Sequence, residues 1–314
     1  MGPILFLFYI SRLFSVISKH LPDCHGFSDD SQLYLSFRPL TFQVQEAAVG
    51  AVTTCIADVR SWYITNELMI NDTKTEFMVI GSRQQLQKVN IDSIRVGDTD
   101  IRPVTSVRNL GVWFDATMSM ETHVSKVCSK AFFGLYKIRQ IRKFLSPDVT
   151  RTLVHAFVTS HLDYCNAVLY GVPEKTLARL QRVLNSAARV VTLVPRFDHI
   201  TPVLIQLHWL PVRYRIQFKV LLLVFKAIKG LAPQYVIDMV RPRRSGARVL
   251  RSDSHVTLVV PKTNCKTFGD RAFAASGPRL WNQLPSSIRE AGSIPEFKGL
   301  LKLYLFGVAF EQRL

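Results

Sequence analysis

Apolar and polar positions repeat with two distinct periods along this chain, and each change of period marks an element. In residues 1 to 22, Leu5, Phe8, Tyr9, Leu13, Phe14 and Ile17 recur at three- and four-residue intervals, predicting a helix with an apolar face. Asp23 to Phe37 changes to a two-residue period through Gln32, Leu33, Tyr34, Leu35, Ser36 and Phe37. Ser28, Asp29, Asp30 and Ser31 precede that stretch, so strand, turn and strand are expected. Helical spacing returns from Val44 to Ile70 through Ala47, Ala48, Val52, Ile56, Val59 and Tyr63. A buried strand is expected at Phe77 to Ile80, closed by Gly81-Ser82. Next come a hairpin of Ile91 to Val96 and Thr99 to Val104 turning at Gly97-Asp98, and a strand from Asn109 to Phe114.

Beyond Asp115 nearly everything has helical spacing. Ser146-Pro147-Asp148 places a capping hydroxyl, a first-position proline and a first-turn acid in order. Leu177, Leu180, Leu184, Ala187, Ala188 and Val191 form one stripe, and Val212 to Leu231 reads as a helix stopped by Gly230. Residues 232 to 265 contain Pro233, Pro242, Pro261 and a basic run, which predicts an irregular linker with one strand at His255 to Val260. A small module with Trp281 and a last helix from Pro295 to Phe306 follows. The pattern predicts an α+β chain: an antiparallel sheet with helices in 1–115, a mainly helical domain in 116–200, and a basic linker with a small α/β module in 201–314.

Composition narrows the partners. Apolar residues make up 48% of the chain and charged residues 20%, enough to bury cores. The formal charge of +17 is unusual and points to an acidic partner, nucleic acid or an anionic membrane surface. Cys24, Cys55, Cys128, Cys165 and Cys265 are scattered without a C-x-x-C pair, which reads as free thiols in a reducing compartment. The apolar run Ile4 to Ile10 is short and broken by Arg12, and Val220 to Phe225 is flanked by Lys219 and Lys226. Neither predicts a signal peptide or a membrane span, so an intracellular chain, nuclear or cytoplasmic, is expected.

Two features carry chemistry. Asp29 and Asp30 at a tight turn present hard oxygen ligands of the kind that hold magnesium in phosphoryl transfer; equally, acids favour turns because they accept local backbone hydrogen bonds. Basic residues cluster twice. Lys126, Lys130, Lys137, Arg139, Arg142, Lys143 and Arg151 stand against Asp148 alone, and ten Lys/Arg between His208 and Arg251 stand against Asp238. Such clusters neutralise phosphates or form solvated faces. Tyr136, Phe144, Trp209 and Tyr214 among them allow base stacking, although Phe132 and Tyr136 have the spacing of core positions. Arg241, Arg243, Arg244, Arg248 and Arg251 form the densest patch, which also has the composition of a nuclear address.

Phe27-Ser28-Asp29-Asp30-Ser31-Gln32-Leu33-Tyr34 resembles the Tyr-Ala-Asp-Asp-Thr-Gln-Leu-Tyr motif of non-LTR (LINE, CR1/jockey-like) retrotransposon reverse transcriptases, and Met1 to Phe6 resembles the segment following their template-positioning motif. Asn71 to Phe77 is similar to their Asn-Pro-Asp-Lys-Thr-Glu segment, and Val107 to Val112 with Phe114-Asp115 to their primer-grip strand. His161 to Asn166, Leu169 to Gly171, Leu180 to Val183, Ala187 to Arg189, His208 to Val212 and Trp281 to Pro285 resemble the thumb and C-terminal regions.

The resemblance implies a partial polymerase palm, a thumb and a C-terminal segment. It further implies catalytic roles for Asp29, Asp30 and Lys74, Mg2+ at Asp29 and Asp30, and an RNA template with a DNA primer as partners. Phe27-Ser28 departs from Tyr-Ala, and Asp72-Thr73 from Pro-Asp. The family's first catalytic strand, which completes the metal cage, lies upstream of the segment matching Gly2-Pro3. Asp23, Asp58 and Asp115 offer no convincing substitute. The expectation is therefore a polymerase fragment inactive alone, holding Mg2+ weakly. The rival expectations are a nucleic-acid-binding remnant without chemistry and a translated fragment whose open sheet edges drive aggregation. Lys137, Arg139, Arg142, Lys143, Arg241, Arg243 and Arg244 are the candidate nucleic-acid contacts.

Overall fold

The computed structural model describes residues 2–243, 256–263, 265 and 268–310. The chain is α+β, helix-rich with short antiparallel strands, and divides into two compact units, Met1–Ser119 and Met120–Leu314.

The first unit opens with α1 (Gly2–Ile10) and α2 (Leu13–Ile17), two helices where one was expected, separated at Ser11-Arg12. The predicted hairpin follows as β1 (Asp23–Phe27) and β2 (Asp30–Tyr34). Helix α3 (Phe42–Thr65) starts where the Thr41 hydroxyl accepts from the Val44 amide at 3.4 Å. Its Cys55 and Val59 pack with Ile10, Leu13, Ile17 and Leu21, while Ile56 faces Ile94 and Val96. Beyond the single-turn α4 (Arg83–Leu86) come β3 (Ile94–Val96) with β4 (Thr99–Ile101), and β5 (Ser106–Asn109) with β6 (Val112–Asp115). Gly97 at φ 58 makes the β3–β4 turn, as the sequence predicted.

Two sheet expectations are corrected. Asn109 to Phe114 does not run as one strand. Leu110 (φ 45) and Gly111 (φ 85) form a two-residue turn with both φ values positive, and the chain reverses there. Phe77 to Ile80 contributes only an isolated bridge, Phe77 to Pro103, with the Phe77 carbonyl accepting from the Val104 amide at 2.8 Å. Among the described residues the strands make three separate two-stranded sheets, not one palm-like sheet. Periodicity predicts strands; it does not say which strands pair.

The second unit is helical. Helix α5 (Glu121–Ile141) buries Val124, Cys128, Ala131, Leu135 and Ile138. In α6 (Pro147–Val154) the Ser146 hydroxyl accepts from the Val149 amide at 3.3 Å, as Ser146-Pro147-Asp148 predicted. A π-helical turn, His155–Thr159, leads into α7 (Ser160–Asp163). A Cβ added to Gly134 of α5 would lie 2.8 Å from the Phe157 carbonyl oxygen in that turn, so the close approach requires glycine. Helix α8 (Glu174–Thr192) buries every residue of the predicted stripe, and α9 (Ile200–Gln206) packs beside it.

Helix α10 (Val212–Ile228) is followed by α11 (Gln234–Asp238), α12 (Phe273–Asn282), α13 (Ser286–Arg289) and α14 (Ile294–Phe310). Val224 and Phe225 of α10, Trp281 of α12 and Phe297 of α14 share one core, with Phe225 and Phe297 stacked at 4.2 Å between centroids. The Trp281 indole donates to the Val256 carbonyl at 2.9 Å. A strand was expected at His255 to Val260; within the described residues Pro242 and Leu258 form a bridge. No helix among the described residues is long and apolar enough to cross a membrane.

Candidate functional site

The carboxylate turn is a two-residue reversal. Phe27 pairs with Asp30, leaving Ser28 and Asp29 in the turn, with Ser28 at φ 57. Inner residues Cys24, Leu33 and Leu35 anchor the hairpin on the apolar cluster of α2 and α3. At Gly26 the Phe14 ring occupies the space a side chain would fill. The Tyr34 hydroxyl donates to Gln32 Oε1, and Gln32 Nε2 donates to Asn109 Oδ1 at 2.6 Å, linking this hairpin to β5. Burial raises the Tyr34 phenol. These contacts fix the base of the hairpin, while Asp29 and Asp30 at its tip are exposed.

Among the described residues Asp29 and Asp30 have no third carboxylate, histidine or cysteine grouped with them. No group of three His, Cys, Asp or Glu that could hold a metal occurs among the described residues. Asp58 binds His20 at 2.8 Å. Asp115 accepts from the Thr117 hydroxyl and the Ser119 amide, both at 2.8 Å, and from the Ser119 hydroxyl at 3.1 Å. Asp72 is paired with Arg60, and Lys74 ends the same short turn with its side chain in solvent. Two exposed carboxylates on adjacent residues are a weak ligand set for an ion that favours octahedral oxygen coordination.

The basic face of α5 has a different construction. Between Glu121 and Asp148 lie six Lys/Arg and no acid. Lys126, Lys130, Phe133 and Lys137 fall at offsets of 4, 7 and 11, so they share one face, opposite the buried residues of this helix. Lys130, Lys137 and Lys143 are exposed, and no carboxylate is in ion-pair range of them among the described residues. Phe133, Tyr136 and Phe144 on the same stretch are 63%, 57% and 76% exposed. Lys137 Nζ lies 5.3 Å from the Phe133 ring centroid and Lys143 Nζ 4.8 Å from that of Phe144. Phe132 and Tyr136 thus lie outside the core. Phe133 had not been singled out from the sequence, although its spacing from Lys130 and Lys137 places it on the polar face.

Arg142 differs from its neighbours. Its guanidinium donates to the carbonyls of Val190 at 2.8 Å, Val191 at 3.0 Å and Leu145 at 2.8 Å. These include carbonyls in the last turn of α8, which have no helical acceptor role left. Arg189 likewise donates to the Pro195 and Asp198 carbonyls at 3.2 and 2.9 Å. Both line a shallow concavity of about 570 Å³ with Arg139, Lys143, Val190, Leu193 and Val194. Arg139 and Lys143 are exposed there; Arg142 and Arg189 hold the backbone. Arg241 and Arg243 are exposed beside the Pro242–Leu258 bridge, and Arg244 lies outside the described residues.

Asp163, Asn166 and Trp209 make contacts inside the helical unit. Asp163 holds Arg215 at 2.6 Å and accepts from Asn166 at 3.3 Å. Trp209 is buried against His155, with ring centroids 5.3 Å apart. Burial, then Arg215 and Arg151, lower the His155 imidazole. No family model, curated protein or solved structure matches the chain.

Proposed function

We propose that this chain derives from a reverse transcriptase and holds nucleic acid without extending it. The observation carrying the proposal is that Lys130 and Lys137 on the α5 face, and Lys143 in the turn after it, stand exposed in a stretch without acids. Lysines so placed attract phosphates and release condensed counterions on contact. On this reading the first unit is palm-derived and the second a thumb with its C-terminal segment, with an RNA template and a DNA primer as ancestral partners. Asp29 and Asp30, with Lys74, are the residues that would face Mg2+ and the incoming triphosphate. In a complete site the ion would neutralise developing phosphate charge. Here two exposed acids, with no third donor beside them among the described residues, are expected to hold it weakly.

The test has two arms. Affinity for a labelled oligonucleotide, measured by anisotropy, should fall about twentyfold between 50 and 200 mM salt if three phosphates are neutralised. Extension of a primed RNA template by the purified chain should not exceed that of Asp29→Ala. Extension abolished by Asp29→Ala would restore the catalytic reading, and salt-independent or absent binding would remove the binding one.

A further inference from the structure

We infer that the strand held on α5 is single-stranded, with unpaired bases stacking on Phe133 and Tyr136 while Lys130, Lys137 and Lys143 take the flanking phosphates. The inference rests on the nucleic-acid reading above and adds the class of strand.

One apolar side chain in solvent needs no explanation, but Phe133, Tyr136 and Phe144 lie along one helix and its following turn, each more than half exposed. They alternate with cations, and two of the rings already carry a lysine ammonium near their faces. Along the helix axis Lys130 and Lys137 stand roughly 4.5 and 6 Å to either side of Phe133. A base laid on that ring would have a cation on each side for the phosphates entering and leaving it.

Competing partners fit less well. Cores of protein interfaces are depleted in lysine, whereas lysines occupy the middle of this face. An interfacial membrane helix places its apolar residues on one side and its cations on the other. Here the apolar side of α5, Val124, Cys128, Ala131, Leu135 and Ile138, is buried in the second unit, and the exposed rings are interleaved with lysines. A duplex offers a helix face its phosphates and base edges, while its base faces are covered by stacking. Exposed rings are useful to bases that have left a stack, and such stacking tolerates any sequence.

The experiment compares labelled oligodeoxythymidylate of twelve nucleotides with a blunt twelve-base-pair duplex, using the full chain at one salt concentration. The single strand should bind at least tenfold tighter. Phe133→Ala should weaken the single strand roughly fivefold to a hundredfold, the usual range for losing one stacking platform, and leave the duplex within twofold. Phe133→Leu keeps an apolar side chain of similar bulk without a π face, so it should behave like Phe133→Ala, whereas Phe133→Trp should retain binding. Unchanged far-ultraviolet circular dichroism checks that these surface substitutions preserve the fold. Equal binding of strand and duplex, or undiminished single-strand binding by Phe133→Leu, overturns the stacking inference while leaving phosphate binding intact. Failure to bind either probe, including the case of binding only to anionic lipid vesicles, overturns the parent reading as well.

Discussion

Adjacent residues of equal charge, Arg142 and Lys143, should behave oppositely when replaced by alanine. Arg142→Ala removes three charged-donor hydrogen bonds and strips partners from the Val190 and Val191 carbonyls at the end of α8. One such bond contributes about 1.5–3 kcal/mol when taken alone. Because all three share one half-buried side chain, they do not add, and the loss should be about 2–4 kcal/mol. With a urea m value of roughly 2 kcal/mol per molar, the midpoint for the second unit falls by about 1–2 M. Arg142→Lys should recover less than half of this, since one ammonium cannot reproduce the fork. Lys143→Ala should move the midpoint by less than about 0.3 M, because an exposed side chain away from buried features contributes little. The assay is urea denaturation followed by circular dichroism at the helical band. A midpoint for Arg142→Ala within error of that for Lys143→Ala would refute the assignment of Arg142 to the fold.

Other consequences can be checked on the same chain. Burial lowers the His123 imidazole below its ordinary value of 6.5. Its folded form therefore binds fewer protons than the unfolded one, and its stabilisation is complete above pH 6.5 and lost as pH falls through the lowered value. Midpoints should drop between pH 7 and 5, and His123→Gln should reduce that dependence. Thiol labelling at pH 8 should reach exposed Cys165 and Cys265 first; Cys55, buried and pushed up to about 11, should react only on unfolding. Early labelling of Cys55 would contradict its place in the α2–α3 core. Gly134→Ala should destabilise the second unit by about 1–3 kcal/mol despite alanine's better helix propensity, because the 2.8 Å contact is with backbone. A gain in stability would show that the π-helical turn yields.

Local signals carried far in this sequence. The α6 start was legible because Ser146, Pro147 and Asp148 act on their own backbone, and α8 because its apolar stripe needs only helical periodicity. The hairpin bearing Asp29 and Asp30 was legible for the same reason. The β5–β6 turn was not, since Leu110 is a poor predictor of positive φ and the flanking pattern mimics one strand. Separation of the strands into three sheets was also hidden, because pairing depends on contacts that periodicity does not encode. In the candidate site the cations were visible but their duties were not. Arg142 meets its carbonyl partners 48 and 49 residues away, so only the fold separates it from Lys143. Phe133 was within reach of a helical-wheel argument, being opposite Leu135 and Ile138 and in line with Lys130 and Lys137.

The central claim is that the exposed lysines of α5 and the turn after it contact phosphate, and the salt dependence of binding measures it most directly. Log affinity for a single-stranded oligonucleotide should be plotted against log salt for the parent chain and for one carrying Lys130→Ala, Lys137→Ala and Lys143→Ala together. Each lost phosphate contact lowers the slope by about 0.7, so the triple substitution should flatten it by about 2 while the urea midpoint stays unchanged. An unchanged slope would contradict the account, and would do so most pointedly if replacing Arg241, Arg243 and Arg244 flattened it instead.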